Sequence, residues 1–173
     1  MGKIPVELNL TNLKILNLVN NELTGQIPPQ VWNLDRLTYL GLASNDFDPQ
    51  EIPAEIGNLS SLTKLLLYGC YLTGEIPSEI GNIQTLERIL LQGNNLTGTI
   101  PPEIWALPEL EYIDLNYNQF FGVLPDESRD LVNIMVGAYV AVLAKATDYW
   151  FKDKDDPEQK EGEAVGNGNN VTI

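Results

Sequence analysis

The stretch Leu86-Glu-Arg-Ile-Leu-Leu-Gln-Gly-Asn-Asn-Leu-Thr-Gly-Thr-Ile-Pro101 decides the fold, because it is one copy of a pattern that recurs every 24 or 25 residues. Its skeleton is L-x-x-L-x-L-x-x-N-x-L-x-G-x-I-P, and the copies begin at Leu10, Leu34, Leu59, Ile83 and Leu107. In each, the alternation seen at Leu16-x-Leu18 is the period-two signature of a short strand with one buried face. One strand per copy, stacked, predicts a parallel sheet and an α/β solenoid. No copy can bury its apolar stripe alone, so the core must run continuously through the stack.

The residue after the strand forms its own column: Asn21, Asn45, Cys70, Asn94 and Asn118. An inward amide there can serve backbone groups left open by a sharp turn, which makes this column a structural ladder, with Cys70 as a small buried substitute. Gly25, Gly74, Gly98 and Gly122 read as turn glycines, and each following proline fixes the chain as it crosses to the opposite side. Segments such as Ala54–Asn58 are then expected as single 3₁₀ or helical turns. The second copy carries an extra residue around Asp48-Pro49-Gln50-Glu51, where a local irregularity is expected.

Four parts follow from the pattern: a partial repeat at 1–9, five repeats at 10–130, an apolar C-terminal cap at 131–151, and an acidic, disordered tail at 152–173. The competing reading of 131–151 is an exposed apolar surface used for self-association; a membrane span is disfavoured because Asn133, Lys145 and Asp148 interrupt it.

With 10 basic against 24 acidic residues, the net charge of −14 argues against nucleic acid or anionic membrane as partner. Histidine is absent and the one cysteine stands in the turn column, which removes Ser-His-Asp, Cys-His and histidine-zinc chemistry. Glu7, Glu55, Glu79, Glu103 and Glu127 each sit two residues after a coil's proline, as a solvated face would. No enzyme activity, cofactor or metal is expected. One cysteine and no apolar leader read as cytoplasmic for the chain as given, and as extracellular if it is part of a secreted or receptor protein. Of the Asn-x-Ser/Thr tripeptides at Asn9, Asn58, Asn95 and Asn170, the repeat itself accounts for Asn-Leu-Ser/Thr at coil junctions, so they read as its by-product.

The N-x-L-T-G-x-I-P stretches at Asn21–Pro28 and Asn94–Pro101, and at Cys70–Pro77 with Cys for Asn, resemble plant-specific leucine-rich repeats. Those repeats are typical of receptor-kinase ectodomains and polygalacturonase-inhibiting proteins. The resemblance implies a right-handed superhelix, its parallel sheet concave and partner-binding, its 3₁₀ turns convex. It also implies a module that binds a polypeptide on the strand face, with an inhibitor of a cell-wall glycosidase or a receptor ectodomain fragment as the alternatives.

Candidate contacts come from the strand positions between the inward leucines. One column reads Ile15, Tyr39, Lys64, Arg88, Tyr112; the next Asn17, Gly41, Leu66, Leu90, Asp114; the third Val19, Ala43, Tyr68, Gln92, Asn116. From these, Tyr39, Lys64, Tyr68, Arg88, Gln92, Tyr112 and Asp114, with Tyr117 beside them, form the expected partner-binding set, a mixture of aromatic and charged groups suited to a protein or peptide ligand.

Overall fold

The computed structural model describes residues 2–6 and 10–122, and the backbone of 134–135. Short strands at Ile15–Asn17, Tyr39–Gly41, Lys64–Leu66, Arg88–Leu90, Tyr112–Asp114 and Ile134–Met135 form one six-stranded sheet in sequence order. All its pairings are parallel, and the register sets Leu16, Leu40, Leu65, Ile89 and Ile113 opposite one another. These inner side chains are completely buried from Leu40 to Ile113, because each coil roofs the next. At roughly 1.5–3 kcal/mol per buried aliphatic side chain, the coil interfaces supply most of the stability.

Leu13, Leu16, Leu18 and Leu23 are only partly buried; at that end Gly2 bridges to Leu23, and Ile4 is buried. At the other end, Ile134 pairs with Ile113 and Met135 with Asp114. That spacing is shorter than the repeat, which would have set Gly137 opposite Ile113, a residue with no side chain to give a core. The rest of the expected cap at 131–151, and all of the tail at 152–173, lie outside the described residues.

On the opposite side run 3₁₀ turns at Pro29–Asn33, Ala54–Asn58, Ser78–Asn82 and Pro102–Ile104. Each starts just after a proline and sends an apolar side chain, Val31, Ile56, Ile80 or Ile104, into the core, the first adding Trp32. Gly81 lets successive turns approach closely: a Cβ there would lie 2.5 Å from Glu103 Cβ.

Between strand and turn, a second ladder forms, and the extra residue of the second coil breaks it. Thr24–Gly25 pairs with Asp46–Phe47, whereas Leu72–Gly74 pairs with Gln50–Glu51 and Asn95–Leu96. Pro49 has no N–H to give at the break. The Gln50 side chain patches it, its Oε1 accepting from Ile27 N–H at 2.9 Å and its Nε2 donating to Asp48 O at 3.1 Å.

The turn amides tie coil to coil. Asn94 Nδ2 donates to Leu67 O of the preceding coil (2.8 Å) and to Leu91 O of its own (2.9 Å), while its Oδ1 accepts from Cys70 N–H (2.9 Å) and Leu72 N–H (3.0 Å). Asn45 bonds Leu18 O, Leu42 O and Leu23 N–H in the same manner, and Asn118 bonds Leu91 O, Leu115 O and Leu96 N–H. Asn21 is exposed and reaches only its own coil, through Leu18 O and Val19 O. Cys70 donates its thiol to Leu42 O at 3.3 Å and receives backbone N–H groups of Asn45 and Ser44. Burial pushes its pKa from 9.0 up to about 12 despite those two donors, so the thiol stays protonated.

Two outcomes follow for equilibrium unfolding. Asn94→Ala leaves two carbonyls and two N–H groups unserved in a dry interior and is expected to cost on the order of 3 kcal/mol, read from urea midpoints. For Cys70, the raised folded pKa means that its contribution is complete below the unfolded value of 9.0 and is lost as pH rises toward about 12. Cys70→Asn, which restores the amide, should therefore lose less stability than the parent between about pH 8 and about pH 10.5.

Candidate functional site

The six-stranded sheet sets the outward side chains in ranks because a parallel register repeats every side chain at the same height. Tyr39, Lys64, Arg88 and Tyr112 are successive Cα partners across four strands, with Ile15 preceding them. Adjacent strands lie about 4.8 Å apart, so the two cations stand side by side with a tyrosine beyond each. Arg88 is exposed and Lys64 half-buried, and neither makes an ion pair or side-chain hydrogen bond among the described residues. Two bare positive groups are thus adjacent on a chain of net charge −14.

Tyr39 owes its place to Gly41. A Cβ on Gly41 would sit 2.8 Å from Tyr39 Cε1 and 2.9 Å from Val19 Cγ2, so the ring lies across the space a side chain would occupy. Leu66 and Leu90, half-buried in the same column, continue an apolar floor beyond it.

The third column holds Tyr68 and Gln92, both half-buried. Gln92 Oε1 is buried, with no hydrogen-bond partner among the described residues. The backbone links this rank as well: Ser44 N–H donates to Tyr68 O, Gly69 N–H to Gln92 O and Gly93 N–H to Asn116 O.

Two members of the expected set differ in situation from the rest. Asp114 is only 8% exposed, and its Oδ1 accepts from Asn116 N–H at 3.1 Å. Asn17 does the same for Val19 N–H at 3.2 Å, so this carboxylate closes a local turn as an amide does at the other end of the sheet. Tyr117 lies past the strand, in the turn, 72% exposed and with φ of 56°.

That turn position is left-handed throughout: Asn20, Ser44, Gly69, Gly93 and Tyr117 all have positive φ. Residues that tolerate this conformation fill it in four coils, a signal present in the sequence as a run of small or amide residues before the ladder. The tyrosine is the departure, and it sets a bulky ring at the margin of the strand face.

Among the described residues no group of three or more acidic, cysteine or histidine side chains is placed to hold a metal ion. No helix among them is long and apolar enough to cross a membrane.

Comparison with known proteins agrees with this architecture. The Leucine Rich Repeat family model matches residues 12–34, 61–83, 85–107 and 109–131. The chain is 38% identical over 71 residues to the receptor protein-tyrosine kinase CEPR2 of Arabidopsis thaliana, a match covering 41% of this chain and 7% of that protein. Among solved structures, it is similar to the Arabidopsis receptor kinase HAESA in complex with the peptide hormone IDA and the co-receptor SERK1, with a TM-score of 0.71 and 36% identity over 78% of this chain and 24% of that one. It is also similar to a plant ice-binding protein, with a TM-score of 0.69 and 29% identity over 82% of this chain and 46% of that one. The chain thus spans less than half of each of these relatives. With the repeat matched over more than half of its length, and its motifs and neighbours of the plant receptor type, the chain belongs to the leucine-rich repeat family.

Proposed function

We propose that the six-stranded face binds a polypeptide lying across its strands, with Lys64 and Arg88 gripping an acidic or carboxyl group and Tyr39, Tyr68 and Tyr112 forming aromatic walls. The observation that carries this reading is the adjacency of Lys64 and Arg88 in one register column, with no ion pair among the described residues. Solvated and unneutralised, two such cations attract an anionic group at long range and fix it at short range. Gln92, half-buried in the third column, lies on the same face, and Tyr117 frames the far end of it. Asp114, turned into its own turn, contributes by holding the strand end and by its charge.

Likeness to a receptor that binds a peptide hormone supports a peptide or protein partner, and it favours the extracellular over the cytoplasmic placement. It equally favours a binding module over an enzyme. The glycosidase-inhibitor alternative rests on the family resemblance alone, and no observation on the strand face advances it.

Likeness to an ice-binding protein favours one further reading, binding of a crystalline surface. Such a surface needs a regular row of matched side chains. Backbone bonds from Thr24 to Gly2 O, Asp48 to Gly25 O, Thr97 to Gly74 O and Phe121 to Gly98 O place these residues in one column, where Asp48 and Phe121 interrupt the threonines. The strand face is the stronger candidate, and a freezing curve without hysteresis disposes of the surface reading.

The charge reversal Lys64→Glu with Arg88→Glu tests the proposal. Binding to an array of acidic synthetic peptides should weaken by about tenfold or more, and parent binding should weaken as salt is raised. The thermal midpoint should barely move, since both side chains lack partners among the described residues. Undiminished binding would remove this face from consideration.

A further inference from the structure

Past the strands of the large sheet, the outward positions of the third, fourth and fifth coils carry no charge. In the columns that Tyr68, Gly69, Tyr71 and Thr73 open in the third coil, every residue down to the fifth is aromatic, amide, threonine or glycine. The first two coils place Glu22, Asp46 and Asp48 in those same columns. A patch without charge, on a chain of net charge −14, offers an ionic ligand no counter-charge and suits an uncharged one.

Two rings stand out from the patch. Tyr71 is 53% exposed and Tyr117 is 72% exposed. They lie two coils apart, about 10 Å along the stack. Between them Gly69 and Gly93 follow one another in the left-handed turn column, tied by Gly69 N–H to Gln92 O and Gly93 N–H to Asn116 O. A Cβ added to Gly93 would meet nothing nearer than Gly69 N at 3.8 Å, so the floor between the rings is open. Asn95 and Gln119, two residues on from Gly93 and Tyr117, are exposed, and their side-chain amides make no hydrogen bond among the described residues.

We propose that this patch binds a neutral chain of β-linked glucose units, as in cello-oligosaccharides, with sugars stacked on Tyr71 and Tyr117. In such a chain the hydroxyls are equatorial and the ring hydrogens axial, so each unit has apolar faces and a polar edge. The faces match tyrosine, which presents an apolar ring with one polar end in water. The edges match Asn95 and Gln119, whose amides both donate and accept and so serve neighbouring hydroxyls together. Each sugar lengthens the chain by about one coil spacing, which sets alternate units over the two tyrosines and the unit between them over the glycine floor. A protein surface covering the same patch would have to pair every buried amide with fixed side chains, whereas sugar hydroxyls rotate to meet them. The patch lies apart from the Lys64–Arg88 column, so the two sites are independent.

Isothermal titration calorimetry of the full chain with cellohexaose is the test. Saturable binding is expected, and it should persist as salt is raised, which separates it from the charge-dependent strand face. Tyr71→Gly removes the ring while glycine keeps the left-handed turn, φ of 57°, without strain, and it should weaken binding by about tenfold. Tyr71→Phe should retain binding. Gly93→Asn places in this column the residue that Asn20 already carries at positive φ, so the protein stays folded while the floor is filled, and binding should weaken. Thermal midpoints check that each variant is folded. Absence of saturable cellohexaose binding, or binding indifferent to both Tyr71→Gly and Gly93→Asn, would overturn the assignment. Tighter binding of a proline-rich peptide, lost in the same variants, would overturn it in favour of a polypeptide ligand.

Discussion

A buried amide that hydrogen-bonds backwards is the constraint on which the rest depends. Asn45, Asn94 and Asn118 each donate to a carbonyl of the coil before and a carbonyl of their own, and accept an N–H from the coil before. Dispersion and burial hold the leucines together without direction. The amides add direction, since their bonds form only when one coil is set at a fixed height and rotation on the last. They also let the chain turn sharply within a dry interior, where unpaired backbone groups would each cost about 1–3 kcal/mol.

Once stacking is fixed in this way, inward and outward positions separate completely. Inward side chains answer to the coil above and below and are nearly invariant in kind. Outward ones are not dictated by the stacking, so Ile15, Tyr39, Lys64, Arg88 and Tyr112 can differ in kind along one register column. A binding surface is built by that freedom: the solenoid supplies spacing, and the outward residues supply chemistry. The exceptions, Gly41 beneath the Tyr39 ring and Asp114 closing its own turn, show where an outward position still does structural work.

The second and third coils show how much irregularity this arrangement absorbs. One extra residue splits the smaller ladder at Asp48-Pro49, yet the strand Tyr39–Gly41 still pairs on both sides in register. Gln50 restores two of the bonds with its side chain. Cys70 keeps the column buried with weaker bonds, and Asn94 compensates by accepting from the N–H groups of both Cys70 and Leu72.

The sequence by itself determined the coil: the spacing of leucines named the strands, the asparagine column and the turn prolines, and the pairing of Lys64 with Arg88. It could do so because each of those features is local and repeats, so every copy reads the others. Only the tertiary structure decided what depends on contact between particular coils. The exposure of Tyr117, the burial of Asp114, the orphaned oxygen of Gln92 among the described residues and the space Gly41 leaves for Tyr39 each depend on particular neighbours. So does the difference between Asn58, bonded to its neighbour, and Asn95, bonded to nothing among the described residues. A periodic pattern carries information about what is shared; a single side chain's partners are set by packing, which the pattern does not encode.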